Sequence, residues 1–129
     1  MILDASAVVA ILLKEPGYAD LMELIGNAPD VAIGAPTLVE SSLVVTGRIG
    51  PRARDLAATM VHEGRIDVIA FSEDHSIVAT DAFLRYGKGR HRANLNFGDC
   101  MAYAVACLAN RPLLFLGDDF RHTDVAAAR

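Results

Sequence analysis

Four acidic positions of this 129-residue chain have the residue type and the neighbours needed to bind a divalent cation. Each follows an apolar run that predicts a buried strand, or opens a predicted helix: Asp4, Glu40, Asp99, and the pair Asp118 and Asp119. Because parallel strands all end at the same edge of a sheet, we expect these acids to lie together. Converging carboxylates repel one another unless a cation neutralises them. Oxygen ligands, with no His or Cys at metal spacing, favour a hard ion such as Mg²⁺ or Mn²⁺.

Each acid also has a purely structural interpretation. Asp4 can cap the following helix through that helix's backbone N–H groups. Thr37 and Glu40 have the spacing of a capping box, which would use the Glu40 carboxylate. Asp99 can complement the dipole of its helix, and the final acidic pair can be ordinary turn residues after Gly117. For any single acid both interpretations stay open, whereas the joint occurrence favours a metal site.

Strands and helices alternate along the chain and must position these acids. Short apolar runs predict strands at 1–3, 31–35, 66–71 and 113–116. Apolar residues at helical spacing, with Gly and Pro at the breaks, predict helices between them: 5–13, 18–25, one from Pro36 that Gly47 and Gly50 stop, 51–64, 72–86 and 98–109. This alternation predicts an α/β fold with three layers, in which helices cover both faces of a central, mostly parallel sheet of four to five strands.

Length and composition limit the class of protein. The chain has the length of a single domain, 1–129, and no apolar stretch or leader that predicts a membrane span or a signal peptide. Cys100 and Cys107 lie two helical turns apart, too far for a disulfide, which predicts reduced thiols and a cytoplasmic location. The net charge of −4 argues against a general nucleic-acid-binding protein, and the hydrophobic content of 53% predicts an interface with a second copy or a partner.

Five stretches in this order resemble the PIN-domain ribonucleases, and more narrowly the VapC-type toxins of bacterial toxin–antitoxin pairs. They span nearly the whole chain: Met1–Ala7, Pro36–Glu40, Tyr86–His91, Leu95–Cys100 and Gly117–Phe120. The resemblance implies a PIN-like fold and an Mg²⁺- or Mn²⁺-dependent endoribonuclease. It also implies an RNA substrate, a VapB-type antitoxin as partner and a homodimer.

The resemblance also implies roles for individual residues. Asp4, Glu40, Asp99 and one acid of the final pair would form the metal site, with Asp118 preferred and Asp119 in reserve. Ser6 matches a hydroxyl position that helps to hold the site. Asp4 and Asp99 would be direct ligands, whereas Glu40 and Asp118 would orient water or hold a second ion. Such carboxylate-held ions suit phosphodiester hydrolysis, which needs an activated water and stabilised phosphoryl oxygens.

A basic loop precedes Asp99 in this otherwise acidic chain. It contains Arg85, Lys88, Arg90, His91 and Arg92. Lys88, Arg90 and Arg92 are candidates for contacts with RNA phosphates. The alternative is a solvated loop, or arginines that pair with nearby acids. His62, His75 and His122 have no partner pattern and are expected at the surface.

Two other functions remain open at this point. A metal-dependent phosphohydrolase of small phosphoesters would also use clustered acids. The haloacid-dehalogenase type, however, requires a second Asp at the position that Ser6 occupies. A non-catalytic interaction module would use the same acids only as helix caps.

Overall fold

The computed structural model describes all 129 residues and has a sheet of four parallel strands at its centre. The elements are β1 (Ile2–Leu3), α1 (Ala5–Leu12), α2 (Tyr18–Asn27), β2 (Ala32–Gly34), α3 (Ala35–Ile49), α4 (Leu56–Glu63), β3 (Asp67–Ile69), α5 (Glu73–Tyr86), α6 (Phe97–Ala109) and β4 (Leu113–Leu114). Short 3₁₀ helices occupy Pro51–Ala53 and Asp119–His122. The strand order is β3-β2-β1-β4.

Alternating side chains of the strands build one core on each face of the sheet. Ile2 and Leu113 belong to a cluster with α5 and α6, whereas Leu3 and Leu114 belong to a cluster with α1, α2 and α4. This division follows from the strand period of two, which points successive side chains to opposite faces. The predicted three-layer α/β/α fold with a central parallel sheet is therefore confirmed.

Several element boundaries differ from the predictions. The helix expected to stop at Gly47 continues through it, and α3 ends only at Gly50, which has a φ of 99°. A glycine inside a helix costs about 1 kcal/mol relative to alanine, which the rest of a 15-residue helix can offset. The single helix predicted over 51–64 is a 3₁₀ turn followed by α4. All four strands are shorter than their apolar runs.

The two cysteines are both free, and Cys100 is buried while Cys107 is exposed. None of the helices combines the length and the apolar character that a bilayer crossing would need.

Gly34 ends β2 and lets α6 pack directly against the sheet. A β-carbon at this position would lie 2.9 Å from Cγ2 of Val105, which is fully buried in α6. Gly47, which lies on the exposed side of α3, has no atom within 4 Å of the corresponding position. The two glycines therefore differ in what an added methyl group would meet.

We predict opposite effects of alanine at these two glycines. Gly34→Ala should lower the free energy of unfolding by about 1–3 kcal/mol, because the new methyl group overpacks the contact with Val105. Gly47→Ala should raise it by about 0.5–1 kcal/mol, because alanine favours a helix interior. Denaturant unfolding of both variants and the wild type measures the two changes. Equal effects would contradict the close packing of α6 on β2.

Candidate metal centre

Asp4 lies at the carboxyl end of β1, and its side chain is buried. Only 3% of the residue is exposed. Oδ2 of Asp4 accepts hydrogen bonds from the backbone N–H of Ser6 at 2.9 Å and from the Ser6 hydroxyl at 2.5 Å. Asp4 is thus the N-cap of α1, as its structural interpretation predicted. Both bonds from Ser6 go to Oδ2, so these contacts leave Oδ1 available for a ligand.

Ser6 connects Asp4 to the segment that follows the neighbouring strand, β4. Its Oγ donates to Asp4 and accepts a hydrogen bond from the backbone N–H of Leu116 at 2.9 Å, just after β4. The hydroxyl therefore fixes the Asp4 carboxylate relative to the segment that leads to the last acidic pair. Burial raises the pKa of Asp4 in spite of the hydrogen bonds from Ser6, because a desolvated carboxylate is destabilised in its charged form.

Glu40 lies on α3 and does not have the capping role that the sequence pattern suggested. The helix begins at Ala35 with Gly34 as an N-cap that makes no side-chain bond. Thr37 is therefore the third helical residue, and its buried hydroxyl has no partner. The capping-box interpretation of Thr37 and Glu40 is wrong, because the helix starts three residues earlier than that motif requires.

The Glu40 carboxylate rests against the first turn of α6. A β-carbon on Gly98 would collide with this carboxylate, so glycine leaves room for the Glu40 side chain in its present position. Burial, together with the charges of Asp4 and Asp99, raises the pKa of Glu40 to about 7. Desolvation is the largest of these causes, and the two neighbouring negative charges add to it.

Asp99 is the third residue of α6 and forms a capping box with Asn96. The backbone N–H of Asn96 donates to Oδ2 of Asp99 at 2.8 Å, and that of Asp99 donates to the Asn96 side chain at 3.0 Å. Asp99 therefore has a structural role as well, but one of its oxygens remains without a partner. Burial and the charges of Asp4 and Asp119 raise the pKa of Asp99 to about 6, while the bond from Asn96 opposes this rise.

The two acids of the final pair are both exposed but differ in the charges they act on. Gly117, with a φ of 92°, turns the chain after β4. The Asp118 side chain is 84% exposed and pairs with Nε of Arg121 at 3.4 Å. Asp119 contributes to the raised pKa values of both Asp4 and Asp99, whereas Asp118 contributes to neither. These effects associate Asp119 rather than Asp118 with the other acids, whereas the sequence analysis preferred Asp118.

One cleft of about 280 Å³ brings three of the predicted acids together, and we call it the acidic cleft. Its polar lining consists of Asp4, Ser6, Glu40, Asn96 and Asp99, joined by Glu15 and Arg48. The last two were missed in the sequence, because they lie 33 positions apart and no motif connects them. Asn96 had a detectable signal, namely its capping-box spacing of three residues before Asp99.

The donors of the acidic cleft fit a hard divalent cation in their chemistry. They are carboxylate oxygens, and none of the chain's ion pairs involves Asp4, Glu40 or Asp99. No three acidic, histidine or cysteine side chains lie close enough together to ligate one ion as they stand. Ligation therefore requires the carboxylates to rotate towards a shared ion, which mutual repulsion opposes until a cation is present.

The basic loop lies outside the acidic cleft. Arg85 is held by Asp124 at 2.8 Å and by the hydroxyl of Tyr86. Lys88, Arg90 and Arg92 are exposed and make no ion pair, and the guanidinium of Arg90 lies 5.4 Å from the ring centre of Phe83. Contacts between these three residues and RNA stay a prediction.

One of the three histidines expected at the surface has a local structural role. Nδ1 of His75 accepts a hydrogen bond from the backbone N–H of Ser72 at 3.1 Å, so this ring helps to cap α5.

The chain is similar to known proteins over nearly its whole length. Residues 1–126 match the model of the PIN domain. The chain is 46% identical over 126 residues to a VapC ribonuclease of Mycobacterium bovis, covering 97% of this chain and 91% of that one. It is 43% identical over 128 residues to the ribonuclease VapC of Mycolicibacterium smegmatis, covering 98% of each chain.

Solved structures show the same fold at lower sequence identity. Mycobacterium tuberculosis VapC20, a toxin that cleaves the sarcin–ricin loop, superposes with a TM-score of 0.79 at 18% identity, covering 97% of this chain and 95% of that one. A toxin–antitoxin complex from Klebsiella pneumoniae gives a TM-score of 0.72 at 16% identity, covering 99% and 97%. Fold and sequence together establish that the chain belongs to the PIN-domain family and, within it, to the VapC ribonucleases.

Proposed function

We propose that residues 1–129 form a single nuclease domain that hydrolyses phosphodiester bonds within RNA and acts as the toxin of a type II toxin–antitoxin pair. One observation carries this proposal: Asp4, Glu40 and Asp99 lie in a single cleft, where burial raises the pKa of each. The relatives named as ribonucleases support the choice of RNA as substrate. The free thiols support a site of action in the reducing cytoplasm.

The proposed cofactor is Mg²⁺ or Mn²⁺, held by Asp4 and Asp99 with help from Glu40 and Asp119. When bound, such an ion polarises phosphoryl oxygens and lowers the pKa of water at the site. Ser6 and Asn96 each fix one oxygen of the two ligand carboxylates, which leaves the second oxygen of each to bind the ion. Glu40 has no hydrogen-bond partner in the chain, so it can orient the attacking water.

A groove between α1, α2 and α4 is the proposed binding site for a helix of the VapB-type antitoxin. Its lining is apolar, with Asp30, Arg65 and Asp67 beside it, and it includes Ile11, Met22, Ile25, Met60 and Ile66. An amphipathic helix can bury its apolar face in a groove of this kind. Solved relatives of the same fold that contain an antitoxin support a partner of this type.

A second copy of the chain is the proposed occupant of an apolar surface on α3 and α6. This surface contains Val39, Leu43, Phe97 and Met101, and 81% of Phe97 is exposed. Exposed apolar residues that adjoin one another mark interaction surfaces in soluble proteins. Leu43→Glu should therefore convert a dimer into a monomer in light scattering at high micromolar concentration. A wild type that stays monomeric under these conditions would exclude the homodimer.

Loss of one ligand carboxylate should abolish cleavage. We expect Asp4→Asn, Asp99→Asn and Asp119→Asn to lower the cleavage rate at least about 100-fold, because each removes a charge that holds the ion. Even the loss of a residue that only supports a metal ligand lowers metal affinity or activity about 10- to 100-fold. Asp118→Asn is the matched control and should cleave at nearly the wild-type rate. The assay is cleavage of a mixed RNA pool with Mg²⁺, Mn²⁺ or EDTA. Wild-type cleavage by Asp4→Asn or Asp99→Asn would refute the site.

Stability without metal should fall as pH rises through the raised pKa values. The folded state holds protons on Asp99 to about pH 6 and on Glu40 to about pH 7, whereas the unfolded chain releases them near its ordinary pKa values of 3.8 and 4.5. The folded state therefore binds more protons in this range, and its stabilisation is lost progressively as pH increases. Mg²⁺ should counteract the loss, because it binds the folded state preferentially.

Glu40→Gln isolates this effect in a melting series with EDTA and with millimolar Mg²⁺. The variant should melt higher than the wild type in EDTA at about pH 8 and equally at about pH 5, since it lacks the charge that titrates between them. Glu23→Gln, on the exposed side of α2, is the control and should follow the wild type. Equal melting temperatures of Glu40→Gln and the wild type at every pH would mean that the charge of Glu40 does not destabilise the folded state.

A further inference from the structure

Arg48 is the only basic residue that lines the acidic cleft. The other charged residues in its wall are Asp4, Glu15, Glu40 and Asp99. A cleft of this charge repels the phosphates of a polyanion except where a cation faces it. Arg48 therefore marks the one part of the wall where a side chain of the protein attracts a phosphate.

Arg48 lies on α3 in the same cleft as Asp4, Glu40 and Asp99, but at a distance from these carboxylates. Glu40, Val44 and Arg48 line the cleft at successive intervals of four residues, so they share one face of the helix. Eight residues at the helical rise separate the backbones of Glu40 and Arg48 by about 12 Å. A guanidinium on a long side chain at that distance reaches beside the scissile phosphate rather than onto it.

Glu15 holds the guanidinium of Arg48 in place. Nη1 donates to Oε1 of Glu15 at 2.6 Å. The backbone of Glu15 is itself fixed, because its N–H donates to the carbonyl of Ala10 at 2.9 Å after Lys14 takes a left-handed φ of 53°. A guanidinium has five N–H donors, and this contact is the only hydrogen bond that Arg48 makes. Its remaining donors are oriented and free, as bidentate recognition of a phosphate requires.

A structural role alone does not account for this arrangement. The Arg48 and Glu15 side chains are 55% and 38% exposed, and ion pairs this exposed to water contribute little to stability. Arg48 also complements the dipole at the end of α3, but a basic residue on any face of the last turn would do so. Neither role requires the guanidinium to face the acidic cleft.

We propose that Arg48 is a positioning residue that binds the phosphate adjacent to the scissile one in the RNA substrate. This inference rests on the proposed RNA hydrolysis. Glu15 orients the guanidinium before the substrate arrives, which reduces the ordering needed on binding. Because Arg48 contacts a phosphate that does not react, its loss should weaken substrate binding and leave the chemical step nearly unchanged.

The test uses the full chain with Mg²⁺ and a short RNA, selected from a mixed pool, that the wild type cleaves at one mapped bond. Arg48→Ala should raise KM about tenfold or more with kcat within about twofold, since a charge-assisted hydrogen bond to the substrate is lost. Arg48→Lys should restore part of the lost substrate affinity, because lysine supplies the positive charge but not the paired N–H donors of a guanidinium. Arg54→Ala removes an exposed arginine that pairs with Asp55 outside the cleft, and it should behave as the wild type.

Methylphosphonate linkages identify the phosphate that Arg48 binds. One neutral linkage is placed in turn at each phosphate next to the scissile bond, and KM is measured for the wild type and Arg48→Ala. At one of the two positions the neutral linkage should raise the wild-type KM and have no further effect on Arg48→Ala, as in a double-mutant cycle. Additive effects at both positions, or a wild-type KM for Arg48→Ala, would overturn the proposal and leave Arg48 as a structural or protein-binding residue. Cleavage by the wild type tests the nuclease activity separately.

Discussion

The central constraint in this structure is that carboxylates lie close together and away from water. No basic side chain of the protein forms an ion pair with them. Asp4 is almost fully buried, and Glu40 and Asp99 have pKa values raised to about 7 and about 6. Desolvation is the largest cause in all three, and repulsion among the acids adds to it. The fold can hold such a cluster because its cores lie on the two faces of the sheet, so the unfavourable charges are confined to one edge.

Small hydrogen-bonding residues keep the carboxylates in place without neutralising them. Ser6 holds one oxygen of Asp4 and connects it to the segment after β4, and Asn96 holds one oxygen of Asp99. Gly98 leaves room for the Glu40 carboxylate against the first turn of α6. Each acid that had a structural interpretation as a cap can therefore be a ligand as well, because a carboxylate has two oxygens and a cap uses one. The alternatives of cap and ligand do not exclude each other at Asp4 or Asp99.

The sequence was sufficient for the alternation of strands and helices and for the order of the acids, because both depend on local patterns of apolar residues. It did not determine the direction of each side chain. Asp118 and Asp119 are adjacent and chemically identical, and only the structure shows that Asp118 pairs with Arg121 while the charge of Asp119 acts on Asp4 and Asp99. Glu15, in the segment between α1 and α2, pairs with Arg48 on α3 with no local signal. The start of α3 was also misjudged, since Gly34 and not Thr37 is its N-cap.

The central claim is that the buried carboxylates bind a divalent cation, and calorimetric titration of the protein with Mn²⁺ tests it most directly. Titrations at about pH 6.5 in two buffers of different ionisation enthalpy also count the protons released. Saturable binding should occur with proton release, because the cation displaces protons from Glu40 and Asp99. Binding should be lost in Asp4→Asn and kept in Asp118→Asn. Equal Mn²⁺ binding by Asp4→Asn and the wild type, or no binding by either, would contradict the account.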